Sequence, residues 1–333
     1  MELRDLILNK INPKDFYKKI LGYEFYGNVI CPFHKDTNPS LQIKDDGYAY
    51  CYACKRGWKN IISFYMEYKD YSFTKTLYIL YNDFIEPLIS RKVYIDMFLE
   101  LPKQKEPMAW LLSRGIGRKT INRYLLGYDH TRDRISLPIF NEWGYCVNIR
   151  FFRYFKNNEP KVISYKKGMG KCRLFPYTNL LHKEIYLFEG EMDTLLAIHL
   201  GLNAMTTTAG ALSWRREFTN LFKDKIVYIC YDNDQDGQKG AKIVAKELQR
   251  TAQKIYNIII PKKLGKDFTD YMAKRPIEAF LNLVTKTREI TTKDTESIER
   301  IKEPEDYSQE ETMIVSLDKK SSLHIIVKVE PSD

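Results

Sequence analysis

No stretch of this 333-residue chain approaches the roughly 20 consecutive apolar residues that a membrane-spanning helix needs. The first residues, Met1-Glu2-Leu3-Arg4-Asp5, hold no apolar signal core, so neither a membrane contact nor a secretory route is expected. Cysteine is sparse, at six residues. Cys146, Cys172 and Cys230 are scattered without a pairing pattern, which argues against a disulfide framework and for a reducing, cytoplasmic setting. No internal repeat is present. The phosphate-cradling run G-x-x-x-x-G-K-S/T is also missing, because Gly115-Ile116-Gly117-Arg118-Lys119-Thr120 has the wrong spacing. Acidic residues are in the minority: 43 Asp and Glu against 53 Lys and Arg leave a formal charge of +10. With a pI near 9.0 and abundant Tyr and Phe, this is the bulk footprint of a polyanion binder, although composition does not separate DNA, RNA and nucleotides.

Three of the cysteines do fall into a pattern. Cys31-Pro32-Phe33-His34 and Cys51-Tyr52-Ala53-Cys54 supply two pairs of metal ligands, each pair separated by two residues, on either side of a segment that reads as a hairpin. Tetrahedral zinc takes sulfur at about 2.3 Å and nitrogen at about 2.0 Å, and each tight turn brings two donors close together. Cys31, His34, Cys51 and Cys54 complete the shell and leave no open position. The zinc is therefore expected to be structural, and chemistry must be sought elsewhere.

Apolar residues at helical spacing follow, from Ile61-Ile62-Ser63-Phe64-Tyr65-Met66 to about Ile89, closing a small domain over residues 1–100. Two prolines bracket charged residues in Leu101-Pro102-Lys103-Gln104-Lys105-Glu106-Pro107, which reads as a linker. Short helices interrupted at Gly115 and Gly117 come next, then β-like runs over 134–140 and 145–155, making a mixed basic subdomain over 101–180. Beyond residue 181 the rhythm is strand, loop, helix: apolar runs at 185–188, 226–231 and 255–260 alternate with helical stretches to His199 and over 239–251. That pattern predicts an α/β domain with a parallel, buried sheet over 181–285. Residues 286–333, dense in charge, read as a flexible tail ending in a hairpin.

In a parallel α/β sheet, ligands gather at the carboxyl ends of the strands. Here those ends are acidic: Glu189-Gly190-Glu191-Met192-Asp193, then Asp232-Asn233-Asp234-Gln235-Asp236-Gly237, then Gly265-Lys266-Asp267-Phe268-Thr269-Asp270. Converging carboxylates repel unless cations neutralise them, and Mg²⁺ or Mn²⁺ prefers such hard oxygen donors. Taken one at a time, Glu191 and Asp236 fit equally well as helix-capping or turn residues. An EF-hand over the second cluster fails, because the loop's twelfth position is Ile243 rather than Glu. A divalent-metal cradle suits phosphoryl transfer.

These motifs together resemble the bacterial-type, DnaG-like DNA primases, in a version of phage or mobile-element type, over nearly everything before the tail. The zinc motif with Asn38-Pro39-Ser40 resembles that family's template-recognising zinc domain. Trp110-Leu111-Leu112-Ser113-Arg114-Gly115-Ile116, Leu126-Gly127-Tyr128 and Arg134-Ile135-Ser136-Leu137-Pro138-Ile139 resemble its RNA-polymerase domain. Glu189-Gly190 with Asp193, Asp232-Asn233-Asp234 and Gly265-Lys266-Asp267 resemble the three signatures of the TOPRIM fold. The resemblance implies that Glu189, Asp232 and Asp234 are the central catalytic acids, holding two Mg²⁺ or Mn²⁺ with Asp193 and Asp267 in support; Asp270 is a looser match. It also implies a template- and nucleotide-contacting surface made by Arg134, Arg150, Arg153, Lys161 and Lys171, with Phe151, Phe152, Tyr154 and Phe155 available for base stacking. Alternating Arg and aromatic residues equally suit a β segment with one wet and one packed face.

The expected activity is synthesis of short RNA primers on single-stranded DNA from ribonucleoside triphosphates, leaving an RNA–DNA hybrid. Without a P-loop, any replicative helicase would be a separate partner. Two rivals share the acidic cradle. One is a nuclease or topoisomerase; the other is a non-catalytic zinc-and-TOPRIM recombination protein.

Overall fold

The computed structural model describes residues 2–155 and 159–295, and the chain forms two compact units, Met1–Leu88 and the remainder from Ile89. The first unit opens with helices α1 (Leu3–Lys10) and α2 (Pro13–Leu21). The start of α2 is set by Asn12, whose side chain accepts from the amides of Lys14 and Asp15, with Pro13 in the first helical position; Gly22, at φ 84°, ends it. Strands β1 (Leu41–Ile43), β2 (Ala49–Cys51) and β3 (Gly57–Trp58) form an antiparallel sheet in that order. Helices α3 (Ile61–Lys69) and α4 (Phe73–Phe84) complete the unit. Asn60 and Ser63 cap α3 reciprocally. Phe16, Tyr17 and Phe64 are fully buried, and the Tyr17 hydroxyl donates to Gly47 O at 3.1 Å, tying α2 to the hairpin turn.

In the second unit, α5 (Arg91–Glu100), α6 (Lys105–Ser113) and α7 (Arg118–Arg123) precede an antiparallel sheet. Its strands β4 (Gly127–Asp129), β5 (Arg134–Phe140), β6 (Cys146–Phe152) and β7 (Val162–Ser164) lie in sequence order. The remaining elements are β8 (Leu174–Phe175), β9 (Glu184–Phe188), α8 (Glu191–His199), β10 (Ala204–Thr207), α9 (Arg216–Thr219), β11 (Ile226–Cys230), α10 (Gln235–Leu248), β12 (Lys254–Asn257), α11 (Phe268–Met272) and α12 (Ile277–Thr285). The second sheet has the order β12-β11-β9-β10-β8; all neighbours are parallel except the antiparallel edge strand β8.

Alternation along these strands feeds two cores. Ile185, Leu187, Val227 and Ile229 pack with Ala241, Val244 and Leu248 of α10. Tyr186, Phe188 and Cys230 pack with Leu195 and Leu196 of α8, Phe268 of α11 and Phe280 of α12. Ile135, Leu137 and Phe152 of the first sheet belong to this second cluster, so the basic subdomain and the parallel sheet share one core. Helices thus cover both faces of the parallel sheet, as its near-continuous apolar strands predicted.

Three boundaries differ from the sequence reading. The first unit ends at Leu88 rather than near residue 100, because Val93, Tyr94 and Met97 of α5 pack on Ile149 and Phe151 of β6. Residues 101–107 are not a linker: Leu101–Lys103 is a 3₁₀ turn with Leu101 fully buried, and Pro107 lies in the first turn of α6, where a missing N–H costs no helical bond. Residues 286–295, assigned to the tail, are ordered, with Ile290 N donating to Ile255 O at 2.8 Å and Arg288 forked onto Asp294. The expected hairpin lies outside the described residues. Among those residues, no helix is long and apolar enough to cross a membrane.

Gly127 marks how closely α5 approaches β4, since a Cβ there would lie 2.5 Å from the backbone carbon of Met97. We expect Gly127→Ala to destabilise the second unit by about 1–3 kcal/mol. Urea unfolding followed at a probe in that unit tests this, and an unchanged midpoint would contradict the packing.

Candidate active site and zinc centre

The hairpin β1–β2 places Leu41 opposite Cys51, and the Val29–Leu41 bridge brings Cys31 alongside. Phe33 stacks on Trp58 at 4.4 Å between ring centroids, anchoring the Cys31–His34 turn. The ligand atoms of Cys31, His34, Cys51 and Cys54 all lie within 4.8 Å of one another, and the Cys31 and Cys54 sulfurs are 4.0 Å apart. Tetrahedral zinc with bonds of about 2.3 Å sets sulfurs about 3.8 Å apart, so the quartet fits. His34 Nδ1 is buried without a hydrogen-bond partner, as a ligating nitrogen would be. Around the donors, Asp36 Oδ2 accepts from Cys31 N at 2.8 Å and from Ser40 Oγ at 2.6 Å, while Cys54 N donates to Cys51 Sγ at 3.3 Å. These bonds fix the orientation of the sulfurs.

In the second unit, Glu189 follows β9, Asp232 follows β11 and Asp234 caps α10 by accepting from Gly237 N at 2.9 Å. The strands lie side by side with Phe188 paired to Cys230, so the acids that follow emerge together. Asp232 N donates to Glu189 Oε2 at 3.3 Å. Lys266 Nζ lies 3.3 Å from Asp232 Oδ2 and 3.1 Å from Asp234 Oδ2, so one ammonium bridges the two carboxylates. The acids form a more open set than the zinc quartet, which among the described residues is the only group of three or more such donors within 4.8 Å of one another. Hard oxygen donors already holding a cation are nevertheless the chemistry that Mg²⁺ or Mn²⁺ requires.

Burial and the neighbouring Asp232 raise the Glu189 carboxyl to about 7. Burial and Asp267 raise Asp193 to about 6, against the Thr269 hydrogen bond, and burial and Asp267 also raise Asp232. Asp234 moves the other way, held low by the Gly237 amide and Lys266. Asp193 does not extend towards Lys266; its Oδ1 accepts from Thr269 N at 3.0 Å and from the Thr269 hydroxyl, pinning the third acidic segment to α8. Asp267 caps α11 through Asp270 N at 2.7 Å, and Asp270 Oδ2 accepts from Lys266 N.

The basic residues divide. Arg134 is 3% exposed and donates to Pro160 O, Lys161 O and Glu159 Oε2, so its guanidinium serves the β5–β7 region rather than an open surface. Arg150 donates to the buried Glu191 at 2.9 Å, joining β6 to the start of α8. Arg153 is half-buried and donates to Glu159 O at 2.5 Å, whereas Lys161 and Lys171 are exposed. Of the stacking candidates, Phe151 and Phe152 are buried, Tyr154 is half-buried and Phe155 is 39% exposed.

The sequence reading missed the residues that hold the acids in place. Asn233 Nδ2 donates to Ile260 O and Gly265 O, both at 2.8 Å, and Asn233 N donates to Lys266 O at 3.0 Å. The amide of Asn233 between two acids was the available signal. Gly237 was read only as part of a motif, yet a Cβ there would lie 2.4 Å from Asp232 O and 2.8 Å from Glu189 Oε2.

Comparison with known proteins agrees with this arrangement. Residues 5–90 match the CHC2 zinc finger family, and residues 186–272 match the Toprim-like family. The chain is 24% identical to the DNA primase of Clostridium acetobutylicum over 349 residues, covering 85% of this chain and 56% of that protein. It is likewise 24% identical to the DNA primase of Aquifex aeolicus, covering 86% and 71%. The chain thus spans little more than half the length of the first of these relatives. Two solved structures share the fold. The zinc-binding and RNA polymerase domains of the Aquifex aeolicus primase match with a TM-score of 0.50 at 22% identity, covering 87% of this chain and 86% of that one. The primase fragment of the bacteriophage T7 primase-helicase protein matches with a TM-score of 0.51 at 16% identity, covering 78% and 99%.

Two outcomes follow. Cys51→Ser should lower the zinc-to-protein ratio measured by atomic absorption; unchanged zinc would remove Cys51 from the shell. With no divalent ion added, the Glu189 carboxyl is raised from 4.5 to about 7 on folding, so its stabilising contribution is complete below about pH 4.5 and is lost as pH rises towards 7. Thermal melts of Glu189→Gln should show a shallower fall across that window than wild type, and identical slopes would contradict the shift.

Proposed function

We propose that this chain, which carries the CHC2 zinc-finger and Toprim domains of a DnaG-like primase, synthesises short RNA primers on single-stranded DNA from ribonucleoside triphosphates. The observation that carries the reading is the meeting of Glu189, Asp232 and Asp234 at adjacent strand ends, with a cation already shared by the two aspartates.

Glu189, Asp232 and Asp234 hold the divalent ions, and Asp193 and Asp267 support them by fixing the third acidic segment. When bound, the ions supply activation of the attacking 3′-hydroxyl and neutralisation of charge on the triphosphate. The chain's own part is placement. The Asn233 hydrogen bonds keep the second and third acidic segments in register, and Gly237 lets α10 start against Glu189. Lys161, Lys171 and Arg153 offer positive charge to template or nucleotide phosphates, and the exposed Phe155 offers a face for stacking. Arg134 and Arg150 act from behind, as a strut of the basic sheet and as its tie to α8. The zinc domain contributes template recognition, and a replicative helicase joins as a separate chain.

The rivals make different products from the same site. Purified protein is incubated with single-stranded DNA, ribonucleotides and Mg²⁺ or Mn²⁺, alongside a supercoiled plasmid. Short RNA is expected; DNA fragments or relaxed circles would instead identify a nuclease or topoisomerase, and binding alone a recombination clamp. Asp234→Asn keeps an acceptor for the Gly237 amide while removing the charge, so it should lower synthesis by roughly a hundredfold or more without unfolding the chain. Synthesis at the wild-type rate would refute the assignment.

A further inference from the structure

Lys266 combines a fixed backbone with a flexible, exposed side chain. Its carbonyl accepts from Asn233 N at 3.0 Å, its amide donates to Asp270 Oδ2 at 3.1 Å, and the preceding carbonyl of Gly265 accepts from Asn233 Nδ2 at 2.8 Å. Gly265 sits at φ 148°, with its Cβ position 2.7 Å from Asp270 Cβ, so the approach to Lys266 has one conformation and no slack. The side chain, by contrast, is 58% exposed and reaches the carboxylates over a flexible four-carbon stem. A cation is thereby tethered at a high and constant local concentration beside Asp232 and Asp234.

We infer that Lys266 competes with divalent ions for the Asp232 and Asp234 carboxylates and so sets the metal concentration at which the acidic site fills. The inference rests on reading that site as a divalent-ion centre. The contacts are to Oδ2 of both aspartates, while Asp234 Oδ1 is committed to the Gly237 amide. An ion that takes both Oδ2 atoms must displace the ammonium. The displaced ammonium can swing only within the reach of its own stem, because Asn233 and Asp270 hold the backbone, so it stays close enough to go on repelling the ion. Both effects weaken metal binding, and both vanish when the charge is removed. In water-like surroundings, which this exposed lysine side chain approaches, a unit positive charge about 4 Å from a divalent ion weakens its binding by roughly ten- to hundredfold. Lys266 is therefore a positioning residue for the cation balance of the site, acting through Asp232 and Asp234.

The test is Mn²⁺ binding to the zinc-loaded full chain by titration calorimetry, without nucleotide or DNA, so its readout is independent of synthesis. Lys266→Met should bind Mn²⁺ roughly ten- to hundredfold more tightly than wild type. Lys266→Arg, which keeps the charge, should stay within about threefold of wild type. Asp232→Asn should abolish the added affinity in the Lys266→Met background. Equal or weaker binding by Lys266→Met would overturn the inference, as would failure of both proteins to take up Mn²⁺. Uptake by Lys266→Met alone would support it. Primer synthesis by the wild type is scored separately: its absence would sink the primase reading, whereas synthesis together with unchanged Mn²⁺ affinity in Lys266→Met would sink only this inference.

Discussion

Carboxylates at the ends of neighbouring parallel strands repel one another, and the second unit is organised to hold them together against that repulsion. The strand pairing places Glu189 beside Asp232, but pairing alone does not orient the side chains. Orientation comes from hydrogen bonds between the three acidic segments. Thr269 fastens the third segment to Asp193 on α8, Asn233 fastens it to the second, and the Asp232 amide meets Glu189. Burial first, and then repulsion from a neighbouring carboxylate, raises Glu189, Asp193 and Asp232, whereas the Gly237 amide and Lys266 hold Asp234 low.

The first unit solves a different problem. Its sheet has strands of only two or three residues, too short to form a self-sufficient core. An aromatic cluster around Phe16, Phe33, Trp58 and Phe64 supplies apolar burial, and the Cys31–His34–Cys51–Cys54 quartet fixes the loops that carry it. His34 Nδ1, buried and without a hydrogen-bond partner, is available as the fourth ligand.

Much of this was legible in the residues, for reasons that can be named. The zinc quartet was readable because two-residue spacing constrains geometry locally. The strands at 185–188 and 226–230 were readable because a parallel sheet buried on both faces leaves an unbroken apolar run. Strand β10 was missed: Ala204-Met205-Thr206-Thr207 is four residues long, half threonine, and reads as loop until β9 and β8 satisfy its backbone. The roles of Arg134 and Arg150 were equally illegible. An arginine in a β segment shows its charge but not its partner, and Glu159 and Glu191 lie 25 and 41 residues further along the chain. Helix α5 was grouped with the wrong unit because its apolar residues show that it is buried without showing against what.

The most direct test is a crystal of the full chain soaked in Mn²⁺ and measured at the manganese absorption edge. Anomalous density bounded by Glu189, Asp232 and Asp234, with the Lys266 side chain turned away from Asp232 and Asp234, is the predicted result. Bare carboxylates at saturating Mn²⁺, with Lys266 still bridging the two aspartates, would contradict the divalent-ion reading of the site.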